Sequence, residues 1–270
     1  RWKHQNQFFE STPPACFQKT DFYCENCWNR RLLVCKNKAL CNDLWQSIAN
    51  ANFCKNPVNP WLSLLQQHRI IAVIRAENIV TAREMALAAA AGGIKLIEIA
   101  WNTDRAESLI PKLQQELPDC KIGTGTVLNV DSAEKAIACG CSFLFTPHTN
   151  PELIAKGVEH NIPVIAGALT PTEIIAAWQA GAAAVKVFPI KVVGGIDYLK
   201  CLQPILRDIP LIPTGGITIQ NADEFLEAGA IAVGISSHLF SPEAIAEDDW
   251  TTIIARSRAL IQKVQPFQNQ

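Results

Sequence analysis

Ala183-Ala184-Val185-Lys186-Val187-Phe188-Pro189 is an apolar run interrupted by one charge. Its valines and its closing proline read as a short strand and its end. An ammonium inside such a strand is costly unless it is paired or sheds its proton easily. Two readings follow. One is a buried structural ion pair, which contributes little stability. The other is a nucleophilic amine of the kind that forms Schiff bases.

Seven further runs share this texture. They are Ile70–Ile74, Ile94–Ile99, Lys121–Thr124, Phe143–Phe145, Ile162–Ile165, Leu211–Ile212 and Ile231–Val233. Together with Ala183–Val187 they recur at roughly 20 to 27 residues, the length of a strand-loop-helix-loop unit. Between them lie Ala/Leu/Glu-rich segments with helix starts. Thr81-Ala82-Arg83-Glu84 and Asn221-Ala222-Asp223-Glu224 have capping-box spacing, and Thr170-Pro171-Thr172-Glu173 adds proline at the first helical position. Gly92-Gly93, Gly140 and Gly229 stand where helices would stop. Eight such units predict an α/β fold, a small (β/α)8 TIM barrel. A doubly wound open sheet is the alternative, but its usual glycine-rich first turn is replaced by Arg75-Ala76-Glu77-Asn78.

In a barrel strand, side chains alternate between the interior and the helix layer. Ala184, Lys186 and Phe188 therefore share one face, as do Leu96, Glu98 and Ala100. Each face carries one charge among apolar neighbours. Interior placement is the less costly option, and it lets Glu98 meet Lys186 near the catalytic end. Glu98 then suits general acid/base work and Lys186 a covalent adduct.

Strand ends extend the pattern. Arg75 closes the first run and could clamp a carboxylate or phosphate, although a surface arginine fits the position equally. Thr126 follows the third run, and Thr146-Pro147-His148 closes the fourth. Gly215-Gly216 after the seventh run, with Ser236-Ser237 after the eighth, resembles an anion cradle of backbone N–H groups and a hydroxyl. No His/Asp/Glu cluster has metal-ligand spacing, so no metal or other cofactor is expected in the barrel.

The 270 residues carry 24 basic and 25 acidic side chains, a formal net charge of -1. This balance gives no reason to expect a nucleic-acid or membrane partner, and no run reaches the ~20 apolar residues of a membrane span. Six of the ten cysteines fall within residues 1–54, and the first residue is not methionine. Residues 1–58 lack sustained periodicity and predict a poorly structured or non-native extension; residues 59–270 form the barrel domain. The start itself reads as a fragment, a processed form or a frame opened upstream. Cys24-Glu25-Asn26-Cys27 offers half a zinc site, but Cys35 and Cys41 are too widely spaced to complete it. Scattered cysteines and an N-terminus without an apolar core predict reduced thiols in a cytoplasmic setting.

As a set, five segments resemble the class I 2-keto-3-deoxy-6-phosphogluconate (KDPG) aldolases and their 6-phosphogalactonate (KDPGal) and 4-hydroxy-2-oxoglutarate (KHG) relatives. They are Ile70–Arg75, Gly92–Ile99, Gly123–Leu128, Val185–Pro189 and Pro213–Ile217. The likeness spans residues 61–265. It implies a homotrimer acting on a small keto acid and yielding pyruvate, with Lys186 as Schiff-base lysine and Glu98 as proton carrier. It also implies that Thr126, Pro147 and Phe188 line the pyruvyl end, and that Gly215, Gly216 and Ser237, or Ser236, hold a phosphate. One feature departs. Where KDPG enzymes carry an arginine, this chain has Asn102, a KDPGal-like trait shared with Arg75; Thr214 is instead KDPG-like. The implied activity is cleavage of a 2-keto-3-deoxy-6-phospho sugar acid to pyruvate and glyceraldehyde 3-phosphate. The alternatives are cleavage of 4-hydroxy-2-oxoglutarate and, from another class, a barrel that binds phosphorylated ligands without catalysis.

Overall fold

A strand with apolar side chains on both faces must be covered on both. The eight runs satisfy this by closing on one another. The computed structural model describes residues 60–268; the predicted extension and its zinc half-site lie outside the described residues. A first helix, α1 (Pro60–His68), precedes β1 (Ile70–Ile74), α2 (Ile79–Ala91), β2 (Leu96–Ala100), α3 (Ala106–Glu116) and β3 (Lys121–Gly125). Then come α4 (Val130–Ala138), β4 (Leu144–Phe145), α5 (Pro151–Glu159), β5 (Val164–Ala168), α6 (Pro171–Gln179) and β6 (Ala184–Val187). A 3-10 turn (Ile190–Val193) leads to α7 (Ile196–Leu206), β7 (Leu211–Pro213), α8 (Ala222–Glu227) and β8 (Val233–Ile235). Helices α9 (Pro242–Ala246) and α10 (Trp250–Val264) complete the unit.

All eight strands are parallel, in the order β7-β6-β5-β4-β3-β2-β1-β8. A parallel bridge between Thr214 and Gly234 joins β7 to β8. The fold is thus the predicted (β/α)8 barrel and not the open sheet.

Two apolar layers follow from the strand alternation. Ile97, Ile99, Val185 and Val187 belong to the outer layer, with Met85, Leu109, Leu153, Ile174 and Leu260 of the helices. Ile71, Val73, Leu96, Phe143, Phe145, Ile165, Ala184, Ile212 and Ala232 fill the interior. Trp61 and Leu65 of α1 join this inner group, and the Trp61 ring lies 4.8 Å from that of Phe143 at the N-terminal end of the strands. Phe143 in turn meets Phe145 edge to face at 5.7 Å. The barrel therefore has a solid floor. Among the described residues no helix is long and apolar enough to cross a membrane.

Local details correct several expectations. Only Thr170 forms the reciprocal box with Glu173. Thr81 lies inside α2, whose cap is Asn78; the Asn78 side chain accepts from the Thr81 N–H. Asn221 makes no side-chain cap, because its carboxamide accepts from the Thr218 N–H and donates to the Gly216 carbonyl. Short polar side chains near a loop find such local partners readily. The eighth strand begins at Val233 and runs through Gly234, a residue that propensity reasoning passes over.

Truncating the fully buried Phe143 to alanine leaves a cavity between floor and interior. We expect F143A to lose about 3–5 kcal/mol, read from the midpoint of urea unfolding.

Candidate active site

Glu98 lies between Leu96 and Ala100 on β2, and Lys186 follows Ala184 on β6. Because Leu96 and Ala184 belong to the interior group, the same alternation turns both charges into the barrel. Glu98 is only 1% exposed and Lys186 only 6%. Glu98 pairs in register with Val73 on one side and Gly123 on the other; Lys186 pairs with Gly167 and Ile212. Its neighbours thus offer no alternative charge along the ladder.

Space for the carboxylate comes from Gly125. A Cβ at that position would lie 1.6 Å from Glu98 Oε1, so any side chain there would displace the carboxyl. Glu98 Oε2 is buried and accepts no hydrogen bond from the protein. Burial pushes the Glu98 carboxyl above the ordinary carboxylate range, against the opposing pull of the Lys186 ammonium and the Arg75 guanidinium. An acid held this way keeps its proton to higher pH than an ordinary carboxyl, the kind of perturbation that suits a group for proton transfer.

Two aromatic rings frame the lysine. Lys186 Nζ stands 5.3 Å from the Phe145 ring centroid and 5.0 Å from that of Phe188, both within cation–π range. The Lys186 ammonium is close enough to Glu98 to pull on its carboxyl electrostatically.

Above this pair the C-terminal strand ends form the mouth. Arg75, exposed after β1, donates through Nη2 to Thr126 Oγ1 at 3.3 Å. Thr126 has φ +60°, a left-handed conformation that bends the chain sharply after β3. The buried Thr146 hydroxyl donates to the His148 carbonyl at 2.6 Å and accepts from the Gly167 N–H at 3.1 Å. Those two bonds hold Pro147 and His148 against β5. Phe188 is half-buried, and a Cβ on Gly215 would lie 3.3 Å from its ring. Gly215 and Gly216 have φ +87° and +98°, which side-chain-bearing residues rarely adopt. Ser237 stands exposed in the turn after β8, and Ser236 is half-buried before it. Asn102, beyond β2, is exposed.

The structure therefore gathers Lys186, Glu98, Arg75, Thr126, Phe188 and Gly215 through direct contacts or electrostatic reach. Pro147 joins them through the Thr146 bonds. Ser237 shares their end of the barrel without a hydrogen bond to them. Two contributors escaped sequence reasoning, Phe145 and the void at Gly125; Thr146, read there only as part of a polar strand end, turns out to bond two backbone groups. Alternation with Phe143 signalled Phe145, but nothing local distinguishes a glycine that makes room from one that turns the chain. Among the described residues no group of three or more His, Cys, Asp or Glu side chains is placed to hold a metal ion. A groove of about 520 Å³ lined by Pro60, Trp61, Lys121, Ser142 and Trp178 opens at the floor, away from both charges.

Comparison with known proteins agrees with this geometry. Residues 62–256 match the family model described as "KDPG and KHG aldolase". The chain is 32% identical over 200 residues to the 2-dehydro-3-deoxy-phosphogluconate aldolase of Treponema pallidum (strain Nichols), covering 74% of this chain and 95% of the relative. Among solved structures it resembles the KDPG aldolase of Legionella pneumophila, which was captured with pyruvate as a covalent carbinolamine intermediate. That match has a TM-score of 0.68 and 29% identity, over 74% of this chain and 97% of the other. A native KDPGal structure matches at 0.67 and 28%, over 73% and 95%. The non-catalytic barrel weighed from the sequence gives way to these relatives. The chain belongs to the KDPG and KHG aldolase family, a family of carbon–carbon lyases.

Proposed function

We propose that this chain is a Schiff-base aldolase that cleaves a 2-keto-3-deoxy-6-phospho sugar acid to pyruvate and glyceraldehyde 3-phosphate. The observation that carries the reading is the shared interior of Lys186 and Glu98, with Glu98 Oε2 buried and unclaimed by any protein donor. The barrel domain, residues 59–270, supplies every group required. By likeness to its family the enzyme works in the cytoplasm as a homotrimer.

The amine of Lys186 adds to the C2 carbonyl of the keto acid, and the carbinolamine loses water to give an iminium. The iminium draws the C3–C4 bonding pair toward nitrogen. Glu98 takes the proton of the C4 hydroxyl as that bond breaks, and the aldehyde leaves. Protonation of the resulting enamine at C3, then hydrolysis, releases pyruvate and restores the amine. The covalent carbinolamine named for the Legionella relative supports this sequence of bonds. Thr126, Pro147 and Phe188 surround the pyruvyl portion, with Arg75 available to its carboxylate. Gly215, Gly216 and Ser237 receive the phosphate through backbone N–H groups and a hydroxyl.

The main test is covalent. Borohydride reduction in the presence of pyruvate should leave one mass adduct on Lys186. Lys186→Arg should abolish both adduct and turnover, since guanidinium forms no imine. Full activity in that variant would sink the mechanism.

Glu98 makes a second, pH-dependent prediction. Its folded-state pKa is raised, so the unfolded chain ionises first as pH climbs. Stability lent by the protonated carboxyl is complete below the ordinary range near ~4.3 and is lost as pH rises through the raised value. Glu98→Gln undergoes no such loss. We expect its urea midpoint to gain on the parent as pH rises above the ordinary carboxylate range, while turnover falls roughly 10²-fold or more. The acid limb of the parent's kcat/KM profile should lie above the ordinary carboxylate range. A constant stability gap across that rise would contradict the raised value.

The family model also names KHG aldolases, which keeps 4-hydroxy-2-oxoglutarate, cleaved to pyruvate and glyoxylate, as the second substrate reading. Pyruvate release from KDPG, KDPGal and 4-hydroxy-2-oxoglutarate decides between them. Ser237→Ala should lower kcat/KM for the phosphorylated substrates alone; an equal loss on all three would argue against a phosphate contact.

A further inference from the structure

The 3-10 turn after β6 is bound to the Gly-Gly turn after β7. The Ile190 N–H donates to the Thr214 carbonyl at 3.0 Å, and the Lys191 N–H to the Gly215 carbonyl at 3.1 Å. Over this seam lies the aliphatic stem of Lys191. A Cβ built on Gly216 would stand 2.5 Å from Lys191 Cβ, 3.0 Å from Cγ and 2.9 Å from Cδ. Three successive carbons are thus laid across the glycine, which puts the base of the ammonium's stem on the Gly-Gly turn. Lys191 is exposed, and none of the seven ion pairs among the described residues engages it.

The surrounding contacts run from the nucleophile outward. Lys186 Nζ is 5.0 Å from the Phe188 ring centroid, and that ring adjoins Gly215. Gly215 leads to Gly216, and Gly216 carries the Lys191 stem. A keto acid joined to Lys186 at C2 and extending past Phe188 would run toward the Gly215-Gly216 turn that the Lys191 stem covers. A terminal phosphate is the chemistry that suits the Lys191 ammonium. An ammonium on a flexible stem is a point charge for a dianion, where backbone N–H groups supply direction. A shorter, unphosphorylated keto acid has no group that reaches it.

We propose that Lys191 is a specificity residue: its ammonium closes the phosphate end of the site and selects keto acids bearing a terminal phosphate over shorter, unphosphorylated ones. This rests on the aldolase reading above. The test uses the full chain and its Lys191→Gln and Lys191→Arg variants, assayed on KDPG and on 4-hydroxy-2-oxoglutarate. Binding of inorganic phosphate is measured separately by calorimetry at low and high salt. We expect K191Q to lower the ratio of the two kcat/KM values roughly tenfold, chiefly through KM for KDPG, as loss of one charge-assisted contact implies. Phosphate binding should weaken by a similar factor at low salt and less at high salt. K191R, which keeps the charge, should recover most of both losses. An unchanged ratio with unchanged phosphate binding would leave Lys191 a solvated surface lysine and overturn the proposal. A parallel loss on both substrates that arginine does not rescue would do the same, because it would show only that the stem packs the Gly-Gly turn. If the parent enzyme released pyruvate from neither substrate, the aldolase reading would fail by itself. The phosphate arm would still decide the role of Lys191.

Discussion

A carboxyl and an amine buried together inside a closed barrel are the constraint on which the rest of this structure depends. Removing Glu98 and Lys186 from water carries a desolvation cost that their mutual attraction offsets only in part. The fold must hold that arrangement by other means. A floor of Trp61, Leu65, Phe143 and Phe145 supplies packing below the pair, and Gly125 leaves a void that admits the carboxyl. The Phe145 and Phe188 rings present π faces to the ammonium. The result is a carboxyl held above its usual range and facing an amine in an apolar chamber, a state costly for stability and suited to proton transfer.

The two ends of the barrel divide these demands. Near the N-terminal ends of the strands, α1 and the aromatic cluster close the interior, and the groove found there contacts none of the charged interior groups. At the opposite end lie the loops that carry the candidate site residues. Thr126, Gly215 and Gly216 all have positive φ, and Thr146 spends its hydroxyl on two backbone groups. This separation is general to such barrels: packing below, loops and chemistry above. Here it also lets strand ends from different parts of the chain contribute to one site without disturbing the floor.

Much of this was legible in the residues. Eight β-branched runs at regular spacing imply the barrel, since parallel strands separated by helices have few ways to cover both faces. Period-two alternation put Glu98 beside Leu96 and Lys186 beside Ala184, hence both in the interior. Arg75, Thr126 and the Gly-Gly turn were found because strand ends can be located from the runs. Helix caps fared less well. Asn221 and Thr81 have box spacing, yet the Asn221 carboxamide is taken up by the Thr218 N–H and the Gly216 carbonyl, and Thr81 lies inside a helix that Asn78 already caps. The eighth strand was placed early because its glycine has no propensity to report.

What the sequence determined by itself is therefore periodic or chemical: strand count, the face each residue occupies, and the presence of one lysine and one glutamate among the interior-facing positions. What only the tertiary structure decided is distance between strands. The void at Gly125, the ring of Phe145 beside Lys186 and the stem of Lys191 across Gly216 each join residues far apart in the chain or on different turns. Such contacts depend on barrel closure and on side-chain volume at facing positions. Local sequence carries the period of a strand but not the neighbour that closure will set against it.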